Sequence, residues 1–141
     1  MGQLLKKHIK NEKGLTLIEL LAVIVILGII AAIAIPSIAN IIQKSREDAI
    51  KADAIQIINS AKMYIAGEGS DTSIDQDELD TYLNDVSTFQ TFTVNVTTDT
   101  DKNTILSLTG SGSKGNVTIA FDNATISEIN SAKKGVETIG N

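Results

Sequence analysis

The residues whose type and spacing point most directly to chemistry are the Gly14-Leu15 pair and Glu19, four residues beyond it. Glu19 opens onto residues 20–35, a run with no polar side chain. A carboxylate at the edge of such a run is expensive, at roughly 2.5 to 3.5 kcal/mol on membrane-insertion scales, and groups of this kind are functional by default. Glu19 therefore calls for a task, and the segment around it for a structural reason.

Other chemistry is poorly supplied. Gly110-Ser111-Gly112-Ser113-Lys114-Gly115 has the composition of a phosphate loop, but it lacks the Walker spacing and the hydroxyl after the lysine, so it reads as a flexible turn between strands. Asp99, Asp101 and Asn103 begin like a calcium loop; Thr104 then stands where the glycine belongs and Gly110 where the bidentate glutamate belongs, and a hairpin turn is the better reading. The triplets at Asn95, Asn116 and Asn123 match glycosylation acceptors, which a Thr- and Asn-rich strand protein produces readily, and they read as polar surface. The single histidine, His8, lies in the basic N-terminal stretch, and there is no cysteine. Thiol catalysis, disulfides and thiolate metal sites are thus excluded, and the remaining residues show no nucleophile-base or metal cluster. No catalytic residue, cofactor or metal is expected.

The elements that must position Gly14, Leu15 and Glu19 follow from hydropathy and charge. A helix rising about 1.5 Å per residue crosses a hydrocarbon core of about 30 Å in about 20 residues, which is the length of the apolar run from residue 15. Lys6, Lys7, Lys10 and Lys13 precede it, which keeps the N-terminus in the cytoplasm and sends the rest across the membrane. Beyond residue 14 the chain carries eight basic and sixteen acidic residues, a balance that disfavours nucleic acid as a direct partner. Two simpler readings of the apolar run exist: a signal peptide cut after Ala32-Ile33-Ala34, and a plain single-pass anchor. Neither accounts for Glu19.

Lys13-Gly14-Leu15-Thr16-Leu17-Ile18-Glu19, with the basic leader before it and the apolar run after it, resembles the processing signal of type IV prepilins and of the related pseudopilins of type II secretion and competence systems. The resemblance covers roughly residues 6–65. It implies that a membrane peptidase cuts after Gly14 and methylates the new N-terminus at Leu15, that Glu19 is the assembly glutamate, and that His8 is lost with the leader. Pro36 falls where many members have a helix-kinking proline. Leu15 departs from the phenylalanine usual at that position, and the absence of cysteine departs from the disulfide-closed loop common in Gram-negative members, which favours a Gram-positive source. The implied partners are further copies of the chain in a helical homopolymer, the peptidase and methylase, an assembly platform with its ATPase motor, and the membrane before assembly; the implied destination is the cytoplasmic membrane and then the cell surface.

The expected organisation is a leader at 1–14, a membrane and assembly helix at 15–36, an amphipathic helix at 37–66 and a head at 67–141. Ile50, Ala54, Ile57, Ile58, Ala61 and Ile65 recur at helical steps and predict a buried stripe. Lys44, Arg46, Glu47, Asp48, Lys51 and Lys62 lie largely off that stripe and predict a solvated face, with Glu47 and Lys51 as a weak exposed pair. Gly28 and Pro36 are the weak points of the helix, and a bend or local melting is expected over 32–36. Gly67, Gly69 and Ser70 predict its end. In the head, Asp75 predicts a short helix running toward Leu83, followed by strands at 89–96, 105–109, 117–121 and 125–129, a tight turn at Asp122-Asn123 and a loose tail at 131–141. The fold class is α+β: a long helix whose second half is covered by a small antiparallel sheet, as in the type IV pilin fold. The expected function is a structural, non-enzymatic filament subunit, a major pilin; the alternative is a pseudopilin of a secretion or DNA-uptake apparatus.

Overall fold

The computed structural model describes residues 2–69 and 71–141, with side chains omitted for 4–11. Ser70 and the side chains of Lys6, Lys7, His8 and Lys10 lie outside the described residues. The chain divides into two compact units, Met1–Ile41 and Ile42–Asn141.

The described residues of the first unit, 2–41, are all helical. Helix α1 spans Gly2–Glu68, so it begins within the expected leader and continues beyond this unit. Among the described residues its large apolar side chains are exposed: Leu15 is 59% exposed and Ile33 72%. The helical backbone passes through 32–36 without a break, so the local melting expected at Pro36 is not found. Proline deletes one donor of the ladder, and strong helix formation on both sides carries the backbone across that gap.

The second unit contains the rest of α1 and a five-stranded sheet in the order β1 (Ser73–Asp75), β2 (Phe89–Thr98), β3 (Thr104–Lys114), β4 (Val117–Ala124), β5 (Thr138–Gly140). The first four strands pair antiparallel; β5 joins β4 in parallel. Along the strands every second residue turns inward, with Ile74, Val94, Leu108, Ile119, Phe121 and Ile139 all buried. They meet the predicted stripe: Ile50, Ala54, Ile57, Ile58 and Ala61 are buried and Ile65 packs at its edge. Gly112 allows the closest approach of the two layers, since a methyl group there would lie 2.5 Å from Cγ2 of Ile50.

Several expected boundaries are corrected. Residues 125–129 form the start of a helix, α3 (Ile126–Ser131), rather than a strand. Thr125 caps it, the Thr125 amide donating to Glu128 Oε2 at 2.8 Å and the Glu128 amide returning to Thr125 Oγ1 at 3.4 Å. A parallel partner for β4 also requires a crossover of about a dozen residues, commonly helical, and α3 is that crossover. The tail is not loose, because β5 lies in the sheet and Ile139 is buried. Residues 110–114 belong to β3, and the turn is confined to Gly115 and Asn116, with Gly115 at φ +62. Asp122 and Asn123 lie inside β4 as a bulge opposite Thr109, with Asn123 at φ +50. The helix capped by Asp75 is present as α2 (Gln76–Leu79), shorter than expected. The hairpin over 99–103 is present, closed by the Lys102 amide donating to the Asp99 carbonyl at 2.9 Å, with Lys102 at φ +65.

Candidate functional site: the N-terminal segment

Gly14, Leu15 and Glu19 lie on consecutive turns of one helix. The spacing of four places Leu15 and Glu19 on the same face, one turn apart. The Thr16 hydroxyl bonds back to the carbonyls of Glu12 at 3.2 Å and Lys13 at 3.1 Å, as a threonine inside a helix commonly does. No atom comes within 4 Å of a Cβ placed at Gly14 or Gly28, and both faces are open. The long side chains from Leu15 to Ile42 are exposed in an uninterrupted band. This helix is long and apolar enough to cross a membrane: the relevant window has a mean hydropathy of 3.0 and none of it is buried. An exposed apolar surface of this extent requires lipid or other apolar helices around it.

A family model described as the prokaryotic N-terminal methylation motif matches residues 9–35. Residues 9–35 carry the motif of type IV pilin-like proteins. That motif marks prepilin-like chains, which are structural proteins handled by a prepilin peptidase and assembled into polymers, and the match lies on the segment that holds Gly14, Leu15 and Glu19. The apolar helix fits the membrane anchoring that such a chain needs before assembly. No solved structure matches the chain.

Among the described residues no group of three or more His, Asp or Glu side chains could hold a metal. Asn95 Nδ2 is taken up by Asn123 Oδ1 at 2.8 Å and Thr109 Oγ1 at 3.3 Å, and Asn116 accepts from the Arg46 guanidinium. Two residues expected on a solvated face serve the fold instead. Glu47 is 4% exposed and accepts the Gly135 amide at 3.1 Å, while half-buried Lys51 donates to the Ala132 carbonyl at 3.0 Å. They hold the α3–β5 connection rather than each other. Asp53, which no motif or periodicity singles out, accepts both the hydroxyl of buried Thr88 at 2.7 Å and its amide at 3.2 Å.

The two tyrosines fasten the end of α1 to the head. Their rings meet edge to face at 6.0 Å. Tyr64 donates to Asp71 Oδ2 at 2.9 Å and Tyr82 to Glu68 Oε1 at 3.1 Å. The bond to Asp71, with burial and the charges of Asp71, Glu78 and Glu68, pushes the Tyr64 phenol up to about 12. The bond to Glu68 and burial raise Tyr82 as well. Both tyrosines thus act as hydrogen-bond donors across the ordinary pH range.

Proposed function

We propose that the chain is the major subunit of a type IV pilus. Its leader, 1–14, is removed by cleavage between Gly14 and Leu15; Leu15 is methylated; residues 15–36 hold the subunit in the cytoplasmic membrane and later line the filament core; and 37–66 with 67–141 form the head on the surface. The observation that carries this reading is the exposed apolar helix that the matched motif covers, with Gly14 and Glu19 at its start. A signal peptide would discard that helix, whereas cleavage on its cytoplasmic side retains it. In a filament core such helices solvate one another much as lipid does, at little net transfer cost, so an external motor can drive assembly and disassembly. Gly28 and Pro36 are the positions where the helix bends most easily on leaving the bilayer.

Glu19 acts in assembly. In a staggered stack the new amine of Leu15 on an incoming subunit meets Glu19 of a docked one. Each buries a charge only with its partner, and removing one member of such a pair typically costs about 3 to 5 kcal/mol, so the contact enforces axial register.

The test is mass spectrometry of the subunit from sheared surface filaments. The expected species begins at an N-methylated Leu15, and Gly14→Glu leaves the precursor uncut and unpolymerised. An N-terminus at Ile35 overturns the reading. Short fibres seen only with a secretion or competence apparatus assign the chain to the pseudopilins instead.

A further inference from the structure

Charge in the second unit is segregated, and the chain's topology produces the segregation. Lys44 and Arg46 begin the helical part of this unit. The Arg46 guanidinium rests on the β3–β4 turn, where it takes the Asn116 side chain and fills the space above Gly115. That contact brings Lys114 to the same end. The Glu47–Gly135 and Lys51–Ala132 bonds bring the α3–β5 connection there too, with Lys133 and Lys134 between the two tethered residues. Segments 42–51, 112–118 and 131–137 therefore meet at one end of the unit with six cations and three carboxylates, one of which, Glu47, is buried. The remainder of the unit has two cations, Lys62 and Lys102, against twelve carboxylates. Residues 68–85 alone hold seven of the twelve and no cation. They follow Arg46 by 22 residues of helix, about 33 Å at 1.5 Å per residue.

The basic end is the end next to the apolar run in sequence: Lys44 and Arg46 follow Ile42, the last of its large exposed residues, by two and four positions. Lys44, Lys114, Lys133 and Lys134 are exposed. We infer that these four lysines, with Arg46, form a docking surface for the anionic headgroups of the leaflet from which the head emerges, and that the acidic remainder keeps the other end of the head off the same surface. The inference rests on the proposed function, in which the apolar helix lies in the membrane. Juxtamembrane cations are drawn to an anionic leaflet within about a Debye length, about 8 Å at physiological salt, and like-charge repulsion turns the carboxylate-rich end away. The surface would orient the waiting subunit and be released when the helix is withdrawn.

The full chain, one subunit per lipid nanodisc, is treated with an amine-acylating reagent, and each lysine is quantified by mass spectrometry. Lys62 and Lys102, both exposed, serve as references within the same molecule. In discs with about a third phosphatidylglycerol, Lys44, Lys114, Lys133 and Lys134 are expected to react about three- to five-fold more slowly relative to the references than in neutral phosphatidylcholine discs, and about 0.5 M salt should abolish the difference. Equal reactivity in both lipids overturns the inference. So does slowing in neutral lipid, which would be steric, and so does slowing that appears only with two subunits per disc, which would assign the surface to a second copy. If the inference fails while the chain still forms filaments, the lipid contact alone is lost; a chain that the discs do not retain overturns the membrane reading as well.

Discussion

The Glu47 carboxylate accepts the amide of Gly135 at 3.1 Å across 88 residues of sequence, so a helical acid holds the connection to the last strand of the sheet. Lys51, one turn further along, takes the Ala132 carbonyl. Glu47→Ala removes the charged acceptor of the part-buried bond from the Gly135 amide, a loss of about 1 to 3 kcal/mol. Urea unfolding of the head is expected to show that loss, and hydrogen exchange should rise first over 132–140. A variant whose midpoint and exchange match the parent would show that the contact contributes nothing.

These measurements need a soluble head. A fragment of residues 42–141 keeps the buried stripe and the sheet and discards the exposed apolar band, so it is expected to be a folded, non-polymerising monomer. A fragment that aggregates or lacks a cooperative unfolding transition would place part of the head's core in the missing residues.

Gly112 and Ile50 test the packing of helix on sheet. A Cβ at Gly112 would lie 2.5 Å from Ile50 Cγ2 and 2.9 Å from the Phe89 ring, so Gly112→Ala overpacks the interface and should cost about 1 to 3 kcal/mol. Adding Ile50→Val keeps that Cγ2 and should relieve little, whereas adding Ile50→Ala removes it. The Ala pair should therefore be less destabilised than the sum of its single variants, a coupling read from a double-mutant cycle. Strict additivity would place the strain elsewhere.

Alkaline stability should depend on Tyr64. Its folded pKa of about 12 lies above the ordinary phenol value of 10.0, so the proton is bound more tightly in the folded state. The resulting stabilisation is complete below about pH 10 and is lost as pH rises through about 12. Tyr82 shifts in the same direction. Tyr64→Phe should be less stable at neutral pH and should lose less on going from pH 9 to pH 12. Parallel stability curves for the two proteins across that range would contradict the assignment.

Glu19→Ala is expected to be cleaved normally and to stay in the membrane at least as firmly, since a costly charge has been removed from the apolar run. It should enter few filaments or none when expressed alone. Filaments of normal length and number from this variant would leave the pairing of Glu19 with Leu15 without support.

Gly14, Glu19 and the sixteen apolar residues after Glu19 were legible in the sequence because each depends on local composition: a span is a matter of length and hydropathy, and a carboxylate in it is conspicuous wherever the helix ends up. The buried stripe from Ile50 to Ala61 was legible for a similar reason, since helical periodicity is carried by the segment itself. Thr125-Ile126-Ser127-Glu128-Ile129 is β-prone in its Thr and Ile content, but its isoleucines stand three apart and it carries a capping box; the need to return the chain parallel to β4 also favours the helix, and that need is not local. Strands of three residues such as β1 and β5 have too little propensity of their own and exist only because β2 and β4 offer them an edge. Glu47 looks like any solvated helix acid until α3 and β5 are in place, because its burial is caused by segments about ninety residues away, and only the tertiary structure brings them to it.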